Sequence, residues 1–237
     1  MKKNILLIGG SSGIGLATAK LLTENHEVYI ASRSSDSLTG LDIHHLPFDV
    51  TTDDLSTLDL PAELSGLVYC PGSINLRPFK GLKPEAFEAD FQINVMGFVK
   101  SLQAVLPKLT TNSSVVLYST VAVKVGMPFH ASVAASKGAL EGLSKSLAAE
   151  LAPKTRVNVI APSITNTPLA DRFLNNEAKM EKSAQRHPLK RVGEADDIAA
   201  MTRFLLSDDS SWMTVSYTHL RAHETEADLV CRLLLEK

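Results

Sequence analysis

The residues best suited to chemistry in this 237-residue chain begin where its first apolar run, Ile5 to Ile8, leads straight into Gly9-Gly10-Ser11-Ser12-Gly13-Ile14-Gly15. Glycines spaced in this way allow a tight turn, let backbone amides approach a pyrophosphate and let the next helix pack closely on the strand. The N-terminus of that helix adds positive dipole toward the phosphates. The chemistry implied is dinucleotide binding. The second apolar run ends at Arg33, about where folds of this kind read the adenosine ribose. An acidic residue there would bond a free 2′-hydroxyl, whereas Arg33, flanked by Ser32 and Ser34, offers a planar fork to a 2′-phosphate. NADP(H) is the favoured cofactor, and Asp36 nearby keeps NAD(H) open. Lys137 is the other candidate. On a helix lined by Ala and Leu a lone ammonium is costly unless a ribose or a water chain receives it. Cys70 ends a strand near the same pocket and reads as a buried, inert thiol.

Such residues need a frame. Short β-branched runs recur with helical patterns between them, the signature of βαβ units and a parallel sheet. The strands expected are Ile5 to Ile8, Val28 to Ala31, a weaker one at Ile43 to Leu46, Leu67 to Cys70, Val115 to Tyr118 and Val157 to Ala161. Ile14, Ala17, Leu21 and Leu22 form one helical stripe, and Leu140, Leu143, Leu147 and Leu151 another. Pro84 opens a helix whose Phe87, Phe91 and Val95 are expected to face inward. The fold class is α/β, a doubly wound parallel sheet with helices on both faces, and ligands bind at the carboxyl ends of its strands.

Composition narrows the partners. With 24 basic and 26 acidic side chains the formal net charge is −2, which argues against a nucleic-acid or membrane-surface protein and leaves small molecules. Cys70 and Cys231 lack any CxxC or Cys/His spacing, so neither a disulfide framework nor a metal site is expected, and a reducing cytoplasm fits. The start Met1-Lys2-Lys3 mimics a signal peptide, but the apolar run after it is too short.

Further motifs join these: Asp49-Val50 after the third strand, Asn94 within a helix, Ser136-Lys137-Gly138-Ala139, Pro162 to Thr167, and Pro188 to Gly193 with Asp197-Ile198-Ala199. With Gly9, Gly13 and Gly15 they resemble the short-chain dehydrogenase/reductase family over almost all of Lys3 to Thr214. The resemblance implies a Rossmann fold, NAD(P)(H) as cofactor, a small carbonyl or alcohol substrate, and a homodimer or homotetramer pairing through the helices around Glu85 to Leu106 and Val133 to Leu151. It implies that Gly9, Ser11, Ser12, Gly13, Ile14, Gly15 and Arg33 hold the cofactor, with Asp49 and Val50 at the adenine and Gly72, Asn94, Lys137, Pro162 and Thr167 toward the nicotinamide. It places Asn94, Thr120 and Lys137 in the catalytic group and makes Pro168 to Arg186 a substrate loop.

The chemical half departs from the family's pattern. The Tyr expected four residues before Lys137, on the same helical face, is Val133, which has no exchangeable proton. Thr120 stands where a Ser would bond the substrate oxygen, with Ser119 beside it. Tyr69-Cys70-Pro71-Gly72 replaces an Asn-Asn-Ala-Gly signature, Ile8 replaces the Thr that opens the glycine motif, and Ser163 replaces a Gly. His130, three residues before Val133, could supply the missing proton, or it is a helix-start histidine without catalytic part. Tyr118 lies close in sequence but alternation can turn it into the sheet packing. Ser132 and Ser136 read as capping or solvent-facing hydroxyls. The charged stretch Asn175 to Arg186 reads as a solvated, mobile lid. Two functions remain: an oxidoreductase with a substitute proton donor, and a nucleotide-binding sensor or scaffold without turnover. A methyltransferase is disfavoured by Arg33, Asn94 and Lys137 together.

Residues 1–214 read as one domain. After Thr214 the family's final Gly, apolar strand and Asp-Gly-Gly ending do not follow. Val215 to Lys237 instead resembles translated sequencing-adapter sequence, although Leu229, Leu233 and Leu234 have helical spacing. The family's last strand reads as missing or replaced, and if it is missing, Val157 to Ala161 becomes an unprotected apolar edge and solubility should suffer.

Overall fold

The computed structural model describes residues 2–215 and 217–220. Six strands run parallel in the order their apolar patterning suggests: β1 (Lys3–Ile8), β2 (His26–Ser32), β3 (His44–Pro47), β4 (Leu64–Tyr69), β5 (Leu109–Tyr118) and β6 (Thr155–Pro162). Helix α1 (Gly13–Leu22) follows β1 directly. Helix α2 (Pro84–Phe91), a π turn (Gln92–Met96) and α3 (Gly97–Val105) connect β4 to β5. A short α4 (Ala122–Val125) precedes α5 (Ala131–Leu151). Beyond β6 come the small pair β7 (Thr165–Asn166) and β8 (Gly193–Glu194), with α6 (Asp171–Leu174) and α7 (Glu177–Ala184) between them, then α8 (Ala195–Leu206).

The sheet order is β3-β2-β1-β4-β5-β6, closed at the far end by β9 (Tyr217–Leu220). The order reverses between β1 and β4, and a crevice opens above the strand ends at such a switch point. Alternation along β1 sends Leu6 and Ile8 into one apolar layer with Phe98, Leu102 and Leu140, and Ile5 and Leu7 into another with Leu22, Ile198 and Leu205. The two layers sit on opposite faces, which makes the fold doubly wound.

Two expectations change. The last strand is replaced rather than missing: β9 pairs in parallel with β6 from Val159↔Tyr217 to Pro162↔Leu220, so this edge is covered. The spacing of Leu229, Leu233 and Leu234 and the residue Cys231 lie outside the described residues. In α2 the inward position is taken by Asp90, 3% exposed, while Phe91 is 40% exposed. The π turn that follows admits an extra residue per turn, so a strict spacing of four no longer marks one face. No helix among the described residues is long and apolar enough to cross a membrane.

Candidate active site

A cavity of about 1120 Å³ runs over the carboxyl ends of β1, β4 and β5. Its floor at one end is the glycine loop, with Gly9, Ser11, Ser12, Gly13, Ile14 and Gly15 all on the wall. Gly13 takes φ +50°, and a Cβ at Gly15 would stand 2.5 Å from the Gly9 carbonyl oxygen, so both positions require glycine. Ser12 caps α1 in an extended conformation and its side chain bonds none of the first-turn amides, which leaves that helix end open to an anion. Arg33 and Ser34 line the same end, whereas Asp36 does not. Asp49 accepts from the Thr51 hydroxyl at 2.6 Å and the Thr51 amide at 2.9 Å. These bonds, with the Arg33 charge adding to them, hold its carboxyl below the usual range. Val50 lies beside it, and Pro162 and Thr167 form the opposite wall. A bare helix end, a cradle without side chains and a cation at the ribose position fit a dinucleotide.

The other end is set by α5. Val133 and Lys137, one turn apart, both reach the cavity, and Lys137 is only 6% exposed. Burial pulls the Lys137 ammonium from 10.5 down to about 8, against the opposing pull of Cys70 and Asp90. A Cβ at Gly72 would meet Asn94 Oδ1 and Lys137 Nζ at 3.5 Å each, so both side chains border one gap. Asn94 does not itself line the cavity; it is fully buried one layer behind Gly72. Its Nδ2 donates to Ser136 Oγ at 3.0 Å and to Ser73 Oγ at 3.3 Å, which leaves Oδ1 without a hydrogen-bond partner. Ser73 in turn donates to Asp90 Oδ1 at 2.5 Å. Asp90, Ser73, Asn94 and Ser136 are therefore a buried polar chain beside Lys137. Inside the π turn the Tyr69 hydroxyl donates to the Ile93 carbonyl at 2.5 Å and pins the segment that carries Asn94.

Thr120 and His130 line the cavity near Val133. Ser119 is committed elsewhere, donating to Glu141 Oε1 at 2.5 Å. His130 caps α5, and its Nδ1 lies 2.7 Å from the Pro128 carbonyl. A carbonyl only accepts, so Nδ1 carries the hydrogen and Nε2 is the ring nitrogen left for the cavity. Tyr118 bonds Thr202 at 2.7 Å across the sheet, and burial pushes its phenol far above 10, so it is no proton donor. Burial likewise pushes the Cys70 thiol up to about 12, in keeping with an inert group. Ser132 and Ser136 are not solvent-facing as expected. Both are buried, and Ser136 donates to the Val133 carbonyl at 3.1 Å.

The charged stretch is solvent-exposed, as expected, but its two faces are not alike. Lys179, Lys182, Ser183 and Arg186 line the cavity while Glu177 and Glu181 do not, so the run is split by sign. Arg172 and the buried His187 complete that wall. The spacing of three from Lys179 to Lys182 was the available signal, since it marks one face of α7, whereas Arg186 lies past the end of that helix. Asp90 and Ser73 gave a weaker one: an acid four residues before Asn94, and a hydroxyl directly after Gly72.

The family model described as enoyl-(acyl carrier protein) reductase matches residues 9–220. A curated relative, the short-chain dehydrogenase/reductase aba4 of Botryotinia fuckeliana, is 30% identical over 240 residues, covering 90% of this chain and 92% of its own. The 3-oxoacyl-[acyl-carrier-protein] reductase FabG of Thermotoga maritima is 31% identical over 231 residues, covering 90% and 93%. Among solved structures, a short chain dehydrogenase family protein from Francisella tularensis superimposes with a TM-score of 0.86 at 25% identity, covering 93% of this chain and 97% of that one.

Proposed function

The chain belongs to the short-chain dehydrogenase/reductase family, and from that premise we propose that it is an NADP(H)-dependent oxidoreductase reducing small carbonyl compounds or oxidising the matching alcohols. One observation carries this reading: a single cavity joins Arg33 and the open end of α1 to Lys137 and Thr120. Arg33 with Ser34 favours a 2′-phosphate, and Asp36, the residue that kept NAD(H) open, is off the wall. Bound NADP(H) supplies or accepts the hydride. Lys137 holds the ribose side of the cavity and borders the gap that Asn94 Oδ1 faces. Thr120 Oγ1 orients the substrate oxygen. The proton comes from His130, one turn before Val133, as the imidazolium, which gives up its Nε2 hydrogen while Nδ1 keeps its bond to the Pro128 carbonyl.

NADPH oxidation with a panel of aldehydes and ketones tests the reading. Turnover that falls at least tenfold in His130→Ala, with NADPH affinity kept, supports it. The second reading, a sensor or scaffold that binds NADP(H) without turnover, is favoured by Val133 in a position where a phenol would give the proton. Binding across the panel with no turnover would establish it. We also read the protein as cytoplasmic and as a homodimer or homotetramer. The groove formed by Phe87, Phe91 and Ser132 on α2 and α5 supports the assembly.

A further inference from the structure

The wall above the reacting end differs in charge from the rest of the cavity. Four cations, Arg172, Lys179, Lys182 and Arg186, stand on it, and the carboxylate on the cavity wall is Asp49, at the adenine end and held by Thr51. We infer that the substrate carries an anionic group, a carboxylate or a phosphate, bound beneath α7 by Lys182 and Arg186; this rests on the oxidoreductase activity proposed above.

Two of the cations fasten the lid. Arg172 Nη2 donates to the Ile74 carbonyl at 2.6 Å, and Lys179 Nζ donates to the Arg172 carbonyl at 3.1 Å and to Asn175 Oδ1 at 2.8 Å. Carbonyl acceptors satisfy hydrogen bonds but cancel no charge, so the positive potential stays. Lys182 and Arg186 take part in no ion pair among the described residues. Their acidic neighbours on the chain, Glu177 and Glu181, are off the cavity wall.

Position separates this charge from the cofactor. Arg172 grips Ile74, two residues beyond Gly72, whose Cα faces Lys137 and Asn94. The lid is thus fastened at the reacting end. The phosphates of a dinucleotide have their own partners in the α1 terminus and Arg33. Below the cations the wall is apolar, with Leu76, Met127 and Phe173, so the pocket suits a small apolar body with an anionic head.

The test titrates the NADP⁺ complex, which has no hydride to give, calorimetrically with a keto acid, its methyl ester and a ketone phosphate, beside kcat/KM for each with NADPH. The expected result is that one or both anions bind on the order of 10- to 100-fold tighter than the ester, as charge-assisted bonds require. That preference is lost in the double variant Lys182→Gln/Arg186→Gln and kept in Lys182→Arg, with NADPH affinity unchanged in both. The tighter anion identifies the head group. Equal binding of acid, phosphate and ester overturns the inference, as does a preference that survives the double substitution or a loss confined to NADPH binding. An anion preference in binding with no turnover of any compound leaves the inference standing and refutes the oxidoreductase reading instead.

Discussion

Replacing Val133 with Tyr should restore a proton donor of the kind the family's pattern leads one to expect. Val133 is 5% exposed, on the cavity wall, so the larger side chain extends into a space of about 1120 Å³ rather than into packed core. Residues four apart on a helix stand about 6 Å from each other. At an effective dielectric of about 20, a phenolate and the Lys137 ammonium roughly 5 Å apart attract by about 3 kcal/mol. That is worth about two pH units, and it moves the phenol from about 10 toward about 8. A positioned acid in this range contributes about 10²- to 10⁴-fold, or roughly 3 to 5 kcal/mol of barrier. NADPH oxidation is followed in Val133→Tyr and in Val133→Phe, which supplies the ring without the hydroxyl. The Tyr substitution should gain that factor in kcat when His130→Ala has removed the other donor, with little change in KM, and the rate should decline above about pH 8 as the phenol ionises. If Tyr and Phe variants behave alike while both bind NADPH, the reasoning that Lys137 and Thr120 are arranged for proton transfer is wrong.

Lys137 links the site to stability. Burial lowers its ammonium from 10.5 to about 8, so between these values the unfolded chain holds a proton the folded one has released, and stability rises with pH across that window. Lys137→Met removes that slope together with a cost on the order of 3 kcal/mol at pH 7, and should unfold at higher urea while losing turnover; a lower midpoint would count against it. Arg33→Ala should weaken NADPH by about 10- to 100-fold, the worth of a charge-assisted fork, and leave NADH nearly unchanged, as read by calorimetry. Parallel losses for both cofactors would place Arg33 outside the 2′-phosphate site. Asp90→Asn removes a negative charge that raises the Lys137 ammonium, so the basic limb of the pH–rate profile should move below about 8. A profile that keeps its limb means the two groups are uncoupled.

The parallel sheet was legible because its strands are buried on both faces. Leu67 to Cys70 and Val115 to Tyr118 read as unbroken apolar runs, and Leu67, Val68 and Tyr69 are buried with all four residues of the second run. The glycine loop was legible for a related reason: the backbone itself does the binding, and Gly13 and Gly15 announce a conformation and a contact that a side chain forbids. Asp90 was hidden by the same logic. Periodicity assigns the inward face to Phe87, Phe91 and Val95, but the buried residue of α2 is Asp90 while Phe91 is 40% exposed, and the π turn that follows leaves no mark in hydropathy. The split of the lid charges was half visible. Spacing put Lys179 and Lys182 on one side of α7, but Arg186 lies past its end, and the side that faces the cavity is set by tertiary contacts such as the Arg172 bond to the Ile74 carbonyl, 98 residues apart in the chain.

The buried polar chain bears on the choice between turnover and binding alone. A protein that only binds a dinucleotide can use the Lys137 ammonium, 6% exposed on α5, to hold the ribose, so that residue alone does not separate the two readings. Such a protein gains nothing from Asp90, whose Oδ2 has no hydrogen-bond partner, or from Asn94, whose Oδ1 has none either. Two groups whose hydrogen bonds go unmet in the interior are destabilising unless something else is served by keeping them so. They converge, through Ser73 and the gap at Gly72, on the atom that borders the reacting end of the cavity. Asp90 opposes the effect of burial on Lys137 and keeps the ammonium populated near neutral pH, from behind rather than from beside it. An oxidoreductase would use that arrangement to keep a charged lysine beside its proton donor and a scaffold has no need of it, so we take it as support for the proposed turnover even with valine at position 133.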